Sequence, residues 1–111
     1  MRKEGLVLMT TLLLATTEAW AQVDPALIAK GEKIYAVKNC ALCHAINGKG
    51  GTVSPIVRGP DLSAVGAQRD TQWLKTFLKH PKAVNSKAKM MPFRGSEEEL
   101  ELLAEYLGSL K

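Results

Sequence analysis

The chain has 111 residues, room for one small domain and no more. Its 46% hydrophobic and 23% charged residues are the proportions of an ordinary globular domain, and the net charge of +4 admits nucleic acid, an anionic membrane or an acidic protein as partner. So small a core usually needs a disulfide, metal or cofactor beside it. Cys40 and Cys43 are the only cysteines and share one short motif, which excludes a disulfide between distant segments.

Residues 1–21 read as a secretory signal peptide. Arg2 and Lys3 form its positive start, Gly5 to Ala15 its apolar run, and Ala19-Trp20-Ala21 a small-x-small cleavage pattern that predicts a mature chain from Gln22. A membrane span needs about 20 apolar residues, and this run is shorter, with Glu18 close behind it. The expectation is an exported, periplasmic protein without stable membrane insertion. Residues 22–111 form the single domain. Cleavage removes two cations and two acids (Arg2, Lys3, Glu4 and Glu18), so the charge stays at +4.

Asp24-Pro25 predicts a first helix, with Asp24 as cap and Pro25 in the first turn. Leu27, Gly31, Ile34 and Tyr35 fall on one face of it. Gly31 in mid-helix costs about 1 kcal/mol against Ala, a cost that predicts close approach of another element. Ala45 to Gly66 reads as a long loop, the kind that often wraps something functional. Asp70 caps a second helix, which Trp73, Leu74, Phe77 and Leu78 make amphipathic and which Pro81 stops. Lys82 to Arg94 is irregular. Ser96 with Glu99 forms a capping box for a last helix, with Leu100, Leu103, Ala104, Leu107 and Leu110 as its apolar stripe. No convincing strand is present. The expected class is all-α: three main helices and long loops, wrapped around a large apolar ligand.

Cys40-Ala41-Leu42-Cys43-His44 names that ligand. In C-x-x-C-H the two thiols form thioethers to the vinyl groups of one haem, and the adjacent histidine reaches the iron. A thioredoxin-like pair would need a βαβ setting, and a zinc site four ligands. On the far side a methionine is the usual partner of histidine and raises the reduction potential. Met90 and Met91 sit together in Lys89-Met90-Met91-Pro92-Phe93, and spacing does not choose between them. His80, beside Pro81 at a helix end, is the weaker rival.

These residues resemble a class I c-type cytochrome, one of the small mono-haem His/Met electron carriers. The resemblance runs from about Asp24 to the end. It rests on Gly31-x-x-x-Tyr35, Cys40-x-x-Cys43-His44, Gly59-Pro60-Asp61-Leu62, Met91-Pro92 and Tyr106-Leu107. It implies the cytochrome c fold, with haem c bound through Cys40 and Cys43 and iron ligated by His44 and Met91, the methionine before proline. It also implies that the first and last helices cross at Gly31, near Tyr35 and Tyr106. Pro60 would offer its carbonyl to His44, and Arg69 and Trp73, with Arg58 as the alternative arginine, would meet the haem propionates. Ala45 to Arg58 is longer than in the simplest members.

From Thr71 to Ser96 there is no acid, but Lys75, Lys79, Lys82, Lys87, Lys89 and Arg94. The acids gather in the last helix. This dipolar pattern predicts a positive docking face around Met91 for acidic redox partners, and argues against nucleic acid for an exported haem protein. The expected function is single-electron transfer between a donor and an acceptor protein by a monomer that is not an enzyme. The alternatives are a dedicated subunit of an oxidoreductase, or a haem sensor or peroxidase whose Met91 leaves the iron.

Overall fold

A computed structural model describes Gly5, residues 24–52 and residues 57–111. Apart from Gly5, the expected signal peptide and its cleavage point lie outside the described residues.

Helix α1 spans Pro25–Val37; Asp24 caps it, its carboxylate accepting the Ala26 N–H at 2.9 Å. A 3₁₀ turn follows at Cys40–Leu42, entered through Asn39 in the left-handed region at φ 60°. Strands β1 (Ala45–Ile46) and β2 (Lys49–Gly50) make a two-residue antiparallel ladder, with Ala45 opposite Gly50 and Ile46 opposite Lys49. One helical turn, α2, spans Val65–Gln68, and α3 spans Thr71–Lys79. Asp70 caps α3 by accepting the Trp73 N–H at 2.7 Å. Another single turn, α4, spans Pro81–Val84, and α5 spans Glu97–Gly108. Its capping box is complete: the Glu99 N–H donates to Ser96 Oγ at 3.1 Å, and the Ser96 N–H to Glu99 Oε1 at 3.0 Å.

The expected class and the three main helices are present as α1, α3 and α5. Three details differ from the sequence expectation. The Ala45–Gly66 segment contains a short hairpin, because Asn47 and Gly48 both take positive φ and close a tight turn; two residues per strand are too few to show alternation. Pro81 ends α3 and also opens α4, because proline is unwelcome inside a helix but suits its first position. On α1, Leu27 is exposed and Ile28 packs against the core instead, since 28, 31 and 35 stand at spacings of three and four.

Helix α5 is the centre of the packing, with α1 on one side and α3 on another. Among the described residues the buried core is Tyr35, Leu74, Leu78, Leu100, Leu103, Ala104, Tyr106 and Leu107. The α1–α5 crossing is as close as a missing side chain allows. A Cβ on Gly31 would overlap the Leu102 carbonyl oxygen and stand 2.6 Å from Tyr106 Cβ. Beside it the Tyr35 and Tyr106 rings meet edge to face, 5.9 Å between centroids. Such pairs add about 0.5–1.5 kcal/mol beyond their buried area.

Candidate haem-attachment site

The Cys40–Leu42 turn fixes the two thiols and the histidine in one short piece of backbone. The Cys43 and His44 N–H groups both donate to the Cys40 carbonyl, at 3.2 and 3.0 Å. Cys40 and Cys43 are both half-buried and are not joined in a disulfide. Burial pushes the Cys40 thiol above its ordinary range.

The loop after the hairpin returns to this turn and holds it. The Gly59 N–H donates to the Cys43 carbonyl at 2.8 Å. The next residue, Pro60, has its carbonyl oxygen 2.8 Å from His44 Nδ1. A carbonyl only accepts, so Nδ1 carries the proton and Nε2 presents a lone pair. Gly59 lies flush on the imidazole: a Cβ there would overlap Cε1 and stand 2.6 Å from Nδ1. The hairpin braces the turn from another side. The Gly51 N–H donates to the Ala41 carbonyl at 2.8 Å, and a Cβ on Gly50 would stand 2.5 Å from the His44 carbonyl oxygen. The same oxygen accepts the Tyr35 hydroxyl at 3.4 Å. Burial pushes that hydroxyl up to about 12, so it stays a donor at neutral pH.

The Met-bearing segment runs from α4 to α5. Its Phe93 N–H donates to the Leu78 carbonyl at 2.7 Å, which pins the segment to the end of α3. Met90 and Phe93 pack against the core, whereas Met91 is 69% exposed. On α3 and the residue before its cap, the Arg69 guanidinium lies 4.2 Å over the Trp73 ring, and Trp73 stacks on Phe77 at 5.1 Å and 9°. His80 is exposed and stands between α3 and α4, where its side chain makes no capping bond.

Of the residues expected from sequence, the described contacts join His44 to Pro60 and Arg69 to Trp73. They link neither pair to the other, nor either to Met91. Gly59, Gly50 and Tyr35 are the residues whose part at the site sequence reasoning missed. Gly59 and Tyr35 stood inside the motifs quoted, but the reason for them is a contact across the chain. Two thiols on one turn, an imidazole tied at Nδ1 with Nε2 available, and a glycine shaped to that ring form a donor set that fits covalent haem.

The lysines of α3 are committed elsewhere than expected. Lys79 Nζ lies 2.5 Å from Glu97 and Lys75 Nζ 3.6 Å from Glu101, both across to α5. The exposed cations Lys82, Lys87, Lys89 and Arg94 form no ion pair among the described residues. The positive face is therefore smaller than the sequence run suggests and centres on the Met-bearing segment.

Comparison with known proteins agrees with this geometry. The family model Cytochrome c matches residues 28–111. Cytochrome c-551 of Stutzerimonas stutzeri is 31% identical over 90 residues, covering 80% of this chain and 85% of that protein.

Proposed function

The chain belongs to the cytochrome c family, a covalent haem c protein of electron transport, and on that premise we propose that it is an exported mono-haem carrier passing single electrons between redox proteins. The observation that carries the reading is the 2.8 Å bond from His44 Nδ1 to the Pro60 carbonyl. It gives the neutral imidazole one tautomer and one orientation, in which Nε2 would be free to ligate iron.

Bound haem supplies the one-electron ferrous–ferric couple. Cys40 and Cys43 would hold it through thioethers, and His44 would ligate the iron. Gly59 and Pro60 keep the ring from turning, so the ligand does not reorganise as charge changes. Met91 is the second ligand: Met90 spends its side chain on the protein core, while the exposed Met91 thioether is available and precedes Pro92. Held by both His44 and Met91, the iron would be suited to electron transfer rather than to binding small molecules. Arg69 and Trp73 serve the propionates. Lys82, Lys87, Lys89 and Arg94 steer acidic partners to the Met91 side. Among the described residues no helix is long and apolar enough to cross a membrane. The working form is a monomer in the periplasm, begun at Gln22.

The optical spectrum of the ferric protein tests this. The expected result is a six-coordinate low-spin haem with the weak red band of Met–iron ligation. Met91→Ala should abolish the band and Met90→Ala should keep it. A high-spin ferric form that binds azide readily would overturn the carrier reading, and loss of the band in Met90→Ala instead would overturn the ligand assignment.

A further inference from the structure

Lys38 stands two residues before Cys40, at the end of α1. Its backbone is fixed, since its N–H donates to the Ile34 carbonyl at 2.9 Å. Its ammonium meets two groups. It lies 5.6 Å over the Phe93 ring and 3.7 Å from Glu99 Oε2. Phe93 is two residues after Met91. Glu99 closes the capping box of α5 with its other oxygen. Gly95, between them, has no side chain because a Cβ would press on Phe93 at 2.9 Å and on Glu99 Oε1 at 3.0 Å. One cation thus touches the aromatic residue of the Met-bearing segment and the first turn of the helix into which that segment runs. Of the three ion pairs among the described residues, this one has the most sheltered acid, with the Glu99 side chain 40% exposed against 66% and 78% for Glu101 and Glu97.

We propose that Lys38 is a positioning residue for Met91: it ties the segment that carries the second iron ligand to the helix that leads into the haem-attachment turn. The inference rests on the reading of Met91 as that ligand. Without the tie, Phe93 keeps its backbone bond to Leu78 but loses the cover on its ring. The segment then opens more often and the thioether leaves the iron more often.

The test uses the ferric haem-loaded protein and saturating imidazole at pH 8, where the ligand is mostly uncharged and loss of a surface cation leaves its approach unaltered. The limiting rate of methionine displacement reports opening of the segment. Lys38→Met, which keeps the aliphatic stem, should raise that rate about fivefold, equal to about 1 kcal/mol and the size of a cation–π contact. Lys38→Arg should restore the parent rate. Phe93→Leu should also speed displacement, and the double variant should be no faster than Phe93→Leu alone. An unchanged rate in Lys38→Met with the red band intact would overturn the proposal, as would effects of the two substitutions that simply multiply. A lowered unfolding midpoint without a faster displacement would do the same, leaving Lys38 a stabilising residue only. Met91→Ala separates the two ideas: if it keeps the red band, the ligand assignment fails and this inference falls with it.

Discussion

Gly59 leaves no space between its own backbone and the His44 ring, and this sets a strict substitution test. In Gly59→Ala the new methyl overlaps Cε1, so either the ring turns or the loop moves. The expected outcome is a shifted reduction potential and a growing high-spin fraction in the optical spectrum. Pro60 is the opposite case. It acts through its carbonyl, which any residue supplies, so Pro60→Ala should change the potential much less than Gly59→Ala. Gly31→Ala should destabilise by about 1–3 kcal/mol through overpacking, because the atom it strikes is a backbone carbonyl that no rotamer change can move. A lower denaturant midpoint at unchanged slope would record it. The residue types at these positions were plain in the sequence. Helix propensity marked Gly31 as costly and the family resemblance set it at the crossing of the first and last helices, whereas only the fold shows that Gly59 lies against the His44 ring.

Helix α5 depends on its first turn. Ser96→Ala should cost about 1 kcal/mol, read from thermal or denaturant unfolding. Hydrogen bonding from the Ser96 backbone, aided by Lys38, holds the Glu99 carboxyl below its ordinary value of 4.5. A depressed carboxyl contributes stability that is present above the unfolded value and is lost as pH falls through the folded one. Stability should therefore decline with acid below about pH 4.5, and Glu99→Gln should flatten part of that decline in a pH series of unfolding midpoints. The three long helices were readable from sequence because their start signals are local: Asp24, Asp70 and Ser96 each bond within three residues. The single turns α2 and α4 and the Asn47-Gly48 hairpin were not readable as elements, since two to four residues carry no period. Partner choice was the other blind spot. Lys75 and Lys79 look like part of a basic run until α5 is brought beside α3 and takes them.

The formal charge of +4 therefore understates how unevenly cations are displayed. Rates with an acidic redox partner should fall with ionic strength. Charge reversal at Lys82, Lys87, Lys89 or Arg94 should weaken that dependence, whereas Lys75→Gln and Lys79→Gln should leave it nearly unchanged. Stopped-flow electron transfer over a salt series would check both halves. The placement of α5 carries a consequence in time. Among the described residues, five of the eight buried core side chains, Leu100, Leu103, Ala104, Tyr106 and Leu107, belong to α5. The segments before α5 can bury little of this core until α5 docks on them. Until that docking the polypeptide should remain open, with Cys40 and Cys43 reachable for joining to haem.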